Sequence, residues 1–228
     1  MARLSRVTPT GIPQHVIQRG NNKQVCFADE EDFACYAHWL KTYSQKFLVE
    51  IHAWVFMTNH VHLLCTPKSE NSISQMMQSL GRQYVRYFND KYERTGTLWE
   101  GRFKSSLVDA ESYLFELYRY IELNPVRADV VKDPANYIWS SYQINALGKS
   151  SDLCTPHPLY LQLDSTERSR QKSYRGLFNE ILEQSIIDDI QQATRQGMAV
   201  GSEKFKQKIE ELTGRRLHIR PAGRHKNN

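Results

Sequence analysis

The sequence predicts an α+β fold in which an antiparallel sheet carries helices on one side and a helical extension follows at the C-terminus. Three features support this. Four short apolar segments are bounded by turn residues, two long stretches with apolar residues at helical spacing separate them, and a further helical stretch follows the last strand. Residues 1–145 carry the pattern and form one expected domain. Residues 146–228 form the extension, which ends in a basic tail.

Gln14–Arg19 reads as the first strand, entered from Thr10, Gly11 and Pro13 and left through Gly20, Asn21 and Asn22. Asp29 supplies an N-cap and Glu30, Glu31 and Asp32 an acidic first turn. Phe33, Tyr36, Ala37, Leu40 and Phe47 then repeat at helical spacing, predicting a helix over 29–47. Val49–Met57 alternates as a strand, with Ile51, Ala53, Val55 and Met57 expected on one face and His52, Trp54 and Phe56 on the other. Thr58 and Asn59 make a tight connection to a returning strand over 60–66, closed by Pro67. Ile73, Met77, Leu80, Tyr84 and Phe88 mark a second amphipathic helix whose opposite side carries Gln78, Arg82, Arg86 and Asn89. A loop through Trp99, Gly101, Arg102, Phe103 and Lys104 enters a fourth strand over 105–108. A third helix over 110–123 stops at Pro125. Strand, helix, strand, strand, helix, strand is the split βαβ order of ferredoxin-like and RRM-like domains. Beyond residue 134 the pattern loosens, with helical stretches expected over 178–195 and 202–212.

The chain has 228 residues, 40% of them hydrophobic, enough for one good core. Its 30 Lys and Arg against 25 Asp and Glu give a formal charge of +5, which suits a polyanionic partner. Cys26, Cys35, Cys65 and Cys154 lie far apart, form no C-x-x-C pair, and read as free thiols of a reducing compartment. The N-terminus lacks an apolar signal region and no apolar run approaches membrane-spanning length. A soluble cytoplasmic protein is therefore expected, associated with the nucleoid if it acts on DNA.

His60 and His62 open the third strand, where a period of two puts both imidazoles on one face and buries Val61 on the other. Two imidazoles so placed can share a divalent metal, and equally can be ordinary surface histidines. On the third helix Glu116, Tyr120 and Asn124 fall at i, i+4 and i+8, on a different face from Leu114, Leu117 and Ile121. An amide oxygen at Asn124 would complete a His, His, Asn set, with Tyr120 one turn away as a nucleophile beside a Lewis acid. The competing reading is structural: Asn124 before Pro125 is also an N-cap with Pro at the first position of a new helix, and Tyr113, Tyr118 and Tyr120 can be packing residues. A free phenol, near ~10, costs roughly 4 kcal/mol to ionise at pH 7, so an attacking tyrosine needs a cation or a base. Glu116 and Glu122 are the candidate proton acceptors.

Basic and aromatic residues interleave from Arg82 to Lys104, as binding of single strands requires. Tyr84, Tyr87 and Trp99 lie on or near the apolar stripe and read as core, whereas Arg19, Arg82, Arg86, Arg102 and Lys104 are the candidate DNA contacts. Arg215, Arg216, His218, Arg220, Arg224, His225 and Lys226 follow Glu211 with no acidic residue, as in a non-specific nucleic-acid arm.

Four segments together resemble the REP-associated tyrosine transposases, relatives of the single-tyrosine HUH transposases of IS200-like insertion sequences. They are Gly11-Ile-Pro-Gln-His-Val-Ile-Gln-Arg-Gly-Asn21, Met57-Thr-Asn-His-Val-His-Leu-Leu64, Leu98-Trp-Glu-Gly-Arg-Phe-Lys-Ser-Ser106 and Tyr120-Ile-Glu-Leu-Asn-Pro-Val-Arg-Ala128. The resemblance spans roughly residues 1–145. It implies that His60 and His62 bind Mg²⁺ or Mn²⁺, that Asn124 stands where many relatives place Gln as third ligand, and that Tyr120 attacks the scissile phosphate. A 5′-phosphotyrosine link and a free 3′-hydroxyl would result. The implied partner is single-stranded or hairpin DNA of repetitive extragenic palindromes, and the implied assembly a monomer or a homodimer. Glu122 and Asp129 replace the His and Gly often found in the last segment. Two other readings remain open: a non-catalytic RRM-like nucleic-acid-binding regulator, and a metal-dependent nuclease that uses water.

Overall fold

A computed structural model describes residues 8–216. Its strands are β1 (Gln14–Arg19), β2 (Val49–Met57), β3 (His60–Pro67), β4 (Lys104–Val108) and β5 (Ala199–Val200). The longer helices are α1 (Glu30–Lys46), α2 (Ser72–Lys91) and α3 (Ala110–Glu122), followed by the short α4 (Asn124–Arg127), α5 (Tyr142–Asn145) and α6 (Pro158–Leu161). Three more, α7 (Glu167–Gly176), α8 (Gln184–Gln196) and α9 (Glu203–Thr213), complete the C-terminal part. The sheet order is β2-β3-β1-β4-β5, with antiparallel pairing throughout except for the parallel β4–β5 edge. The first four strands thus stand in the expected split βαβ order. The fifth consists of two residues, too short for any alternation to announce it.

Local chemistry accounts for the element boundaries. Asp29 accepts from the Asp32 amide at 3.1 Å while Asp32 accepts from the Asp29 amide, a reciprocal cap for α1. At the end of β1 a Cβ on Gly20 would lie 2.3 Å from the Gln24 carbonyl oxygen, so only glycine permits the turn there.

The crossover helices α1 and α2 lie on one side of the sheet, packed on Val16, Ile51, Trp54, Phe56, Val61 and Leu63. On the other side α3 covers Ala53, Val55, Met57 and Leu64, and residues of α6, α7 and α8 join the same apolar cluster. Helices on one side only, as the sequence suggests, describes the βαβ unit but not the whole chain. The reason lies in β2 and β3, which are apolar on both faces and must be covered twice.

One facing expectation is corrected. Ile51 pairs with Cys65 and Ala53 with Leu64, so His52 is an extra residue in β2. This bulge turns Ile51 to the α1–α2 side, alongside Trp54 and Phe56, and away from Ala53, Val55 and Met57. The His52 ring is held by Thr66 Oγ1 at 2.9 Å and the Thr155 carbonyl at 2.8 Å.

The expected helix over 178–195 is shorter, a 3₁₀ turn at Leu177–Asn179 and then α8, and the one over 202–212 is α9. Asp109 accepts from the Ser202 amide and hydroxyl, tying the start of α9 to the start of α3. Tyr84 and Trp99 are buried, as read from the sequence, whereas Tyr87 is only half-buried; Phe103 is buried as well. Cys26, Cys35, Cys65 and Cys154 are free thiols. Among the described residues no helix is long and apolar enough to cross a membrane. Of the basic tail only Arg215 and Arg216 fall within the described residues; the remainder lies outside them.

Candidate active site

Strand register assembles one face of the site. Arg19 pairs with His60, Ile17 with both His62 and Lys104, and His15 with Ser106, so alternate residues of three neighbouring strands share the face beneath α3. The loop before β4 is pinned to the end of β1: the Asn21 amide donates to Leu98 and the Glu100 amide to Arg19, at 2.8 and 2.9 Å. Buried Leu98, Trp99 and Phe103 anchor that loop, leaving Arg102 exposed beside the strand ends.

These residues enclose a cavity of about 570 Å³. Arg19, His60, His62, Arg102, Lys104, Tyr120 and Asn124 all line it, as do Arg127 and, from α8, Gln191, Thr194 and Arg195. Arg82 lies instead in a second cavity of about 480 Å³ with Gln18, Gln78 and Phe103, and Arg102 borders both. Arg86 is exposed on α2 and borders neither. Both α2 arginines are set apart because α2 packs against the opposite side of the sheet.

Tyr120 is only 4% exposed, its ring edge-on to His15 and His62 with centroids 5.7 Å away in each case. The Arg127 guanidinium lies over the Tyr120 ring, 4.7 Å from its centroid. Asn124 donates from its amide to the Tyr120 carbonyl at 3.3 Å and is the first residue of α4, whose N-cap position is held by Leu123. Asn124 is thus not the N-cap of α4, and it lines the same cavity as His60 and His62.

The imidazoles are neutral near pH 7. Burial, assisted by the Arg19 charge, pushes His60 down to about 4, and burial with the charges of His60, His15, Arg19 and Arg127 holds His62 well below its ordinary value. Burial alone takes His15 down to about 3. The rings of His60 and His62 lie 5.0 Å apart. Among the described residues no three His, Cys, Asp or Glu side chains form a metal-binding group; beside the histidine pair the cavity is lined by the amide side chains of Asn124 and Gln191 and by Glu100.

Glu122 is not placed to take a proton from Tyr120. It is fully buried, accepting from Ser141 at 2.6 Å, Asn145 at 2.9 Å and Tyr174 at 2.7 Å, and burial pushes its carboxyl up to about 7. Two helical positions from Tyr120 put it on the far side of α3. Glu116 does not line the cavity either; Glu100 does.

Residues 10–124 match the family model described as "Transposase IS200 like". The chain belongs to the IS200-like transposase family. A structure described as a REP-associated tyrosine transposase bound to a REP hairpin shares its fold, at 18% identity, with a TM-score of 0.54 and coverage of 69% of this chain and 93% of that one. A Deinococcus radiodurans R1 protein with a provisional transposase designation is also 18% identical, over 53% of this chain and 96% of that one, with a TM-score of 0.38. No curated protein sequence gives a significant match.

Several residues lining or supporting the site of this IS200-like transposase escape a reading of the sequence. His15 was legible only as part of a motif; its position two residues from Ile17 and four from Arg19 places it on their face once strand register is known. Arg127 follows Asn124 in α4, and only the turn after Pro125 brings it back over Tyr120. Gln191, Thr194 and Arg195 come from a helix with no motif of its own. Asp129, where relatives often have Gly, has φ 54°, which explains why Gly suits that position.

Proposed function

We propose that this transposase nicks and rejoins single-stranded or hairpin DNA, using Tyr120 as the nucleophile. The observation that carries the reading is the convergence of Tyr120, His60, His62 and Asn124 in one cavity ringed by Arg19, Arg102, Lys104 and Arg127. The basic side chains neutralise and position the phosphates around the scissile bond. Tyr120 Oη attacks the phosphorus and the bond to the 3′-oxygen breaks. The phenol loses a proton and the departing 3′-oxygen gains one, leaving a 5′-phosphotyrosine link and a 3′-hydroxyl. Attack by a 3′-hydroxyl on the link reverses the step, so the covalent bond conserves the energy needed for rejoining.

His60, His62 and the Asn124 amide oxygen would hold Mg²⁺ or Mn²⁺, which supplies Lewis-acid stabilisation of the phosphate. The donors suit such an ion: both imidazoles are neutral, and the Asn59 amide oxygen engages only Nδ1 of His60, at 2.6 Å. The structural relative bound to a REP hairpin supports a palindromic hairpin as substrate. In this reading residues 1–145 form the catalytic unit and 146–228 its extension, in a cytoplasmic protein acting at the nucleoid.

The test is a denaturing gel of protein incubated with Mn²⁺ and labelled hairpin DNA, wild type against Tyr120→Phe. A labelled adduct in the wild type and none in the variant is the expected result. Cleavage without any adduct would favour the water-using nuclease, and tight binding without cleavage the regulator.

A further inference from the structure

The histidine pair is wired to α8 by buried hydrogen bonds whose proton positions can be deduced. His15 Nε2 meets His62 Nδ1 at 2.9 Å, and His15 Nδ1 meets Thr194 Oγ1 at 3.0 Å. Thr194 lies on α8, outside the segment matched by the family model. Its hydroxyl has one proton, which goes to the Ile190 carbonyl at 2.8 Å. The same oxygen can then only accept, from Ser106 Oγ at 3.1 Å and from His15.

The rest follows along the chain of bonds. His15 donates from Nδ1. It is wholly buried, as His62 nearly is, and no carboxylate is hydrogen-bonded to either, so both rings are neutral. A neutral imidazole protonated at Nδ1 has a bare Nε2, so His15 accepts there and His62 donates from Nδ1. His62 is left with its lone pair on Nε2. The Asn59 amide nitrogen donates to the Lys23 carbonyl at 3.3 Å, fixing the amide so that its oxygen faces His60. His60 Nδ1 therefore donates to it, and His60 too carries its lone pair on Nε2.

We propose that α8 sets the tautomer of the histidine pair: Thr194, acting through His15, keeps the His62 proton on Nδ1 and presents Nε2 of His62, in concert with Nε2 of His60, to a divalent cation. The cation rests on the reading of His60 and His62 as ligands given above; the tautomers do not. Thr194 and His15 are positioning residues, the outer partners that orient a ligating imidazole. A helix without any family motif is accordingly part of the working site, and Gln191 and Arg195 beside Thr194 line the same cavity.

Long-range proton–nitrogen correlation spectra of the full-length, metal-free, ¹⁵N-labelled protein at neutral pH test this directly. His15, His60 and His62 are expected to show the proton on Nδ1; a proton on Nε2 of His62 overturns the proposal. Thr194→Val, which keeps the shape but cannot accept, is expected to mix the His15 and His62 tautomers and weaken Mn²⁺ binding, read by electron paramagnetic resonance, roughly 10- to 100-fold. Thr194→Ser is expected to restore both. Wild-type tautomers and Mn²⁺ affinity in Thr194→Val would also overturn it, and if that variant fails to fold the wild-type spectrum still decides. A wild type with the expected tautomers but no Mn²⁺ binding upholds the relay and overturns the metal reading.

Discussion

Arg127 holds its guanidinium over the ring of Tyr120, 4.7 Å from the centroid, from a four-residue helix that begins at Asn124. One tight turn through Pro125 thus returns a permanent cation to the residue that would carry negative charge during attack. A cation over an aromatic ring is worth ~0.5–1 kcal/mol when exposed and ~2 kcal/mol when desolvated, as it would be beneath bound DNA.

Arg127→Ala is therefore expected to slow adduct formation by roughly 2- to 30-fold at saturating DNA, with Arg127→Lys recovering part of the loss. Single-turnover kinetics separates this from weaker binding. A wild-type rate in Arg127→Ala would show that the cation serves only to bind.

Lys104 and Arg102 border the cavity, whereas Arg86 points to solvent from α2. Each of Lys104→Ala and Arg102→Ala should weaken hairpin binding and reduce the salt slope, log K against log salt, by about 0.7–0.9. Arg86→Ala should leave the slope unchanged. Equal slopes in all three would move the DNA path onto α2.

The Glu122 carboxyl joins α3 to α5 and α7 through Asn145 and Tyr174. Tyr174→Phe removes one of its buried donors and should cost about 1–3 kcal/mol. For a chain of this size that lowers Tm by roughly 3–10 °C, measurable by calorimetry. An unchanged Tm would mean that the clasp adds nothing to stability.

Acid should loosen the C-terminal part. Burial, with the charge of nearby His52, pushes His157 down to about 4, and burial also lowers His52. Their stabilising contribution is complete above the unfolded value near 6.5 and is lost as pH falls from there toward about 4, because the unfolded chain takes up protons first. His157 Nδ1 accepts from the Leu159 amide at 3.2 Å as the N-cap of α6, a role that asparagine also fills. His157→Asn should fold at pH 7 and lose less stability between pH 7 and 5 in urea titrations. A slope as steep as wild type would assign the acid sensitivity elsewhere.

Asp129 holds φ 54°, and its ion pair with Lys132 is fully open to solvent. Asp129→Gly should raise stability by up to ~1 kcal/mol by relieving the left-handed backbone, with adduct formation unaffected. A loss of stability would mean that the glycine's extra freedom in the unfolded chain outweighs the strain.

By itself the sequence determined what depends on local repetition and local chemistry. Alternation in 49–57 and 60–66, the Asp29 cap and the apolar stripes of α1 to α3 were legible, since each is set by neighbours within a few positions. The pairing of His60 with His62 and of Tyr120 with Asn124 was legible for the same reason. Tertiary structure decided which of these residues meet. It put His15 on His62 through strand register and moved Ile51 across the sheet through a one-residue bulge. It turned Glu122 away into a buried cluster and brought Thr194 from a distant helix to the back of the site. Spacing along one element specifies direction only within that element. Contacts between elements depend on register and packing, and those are settled by burial of apolar surface across the whole chain.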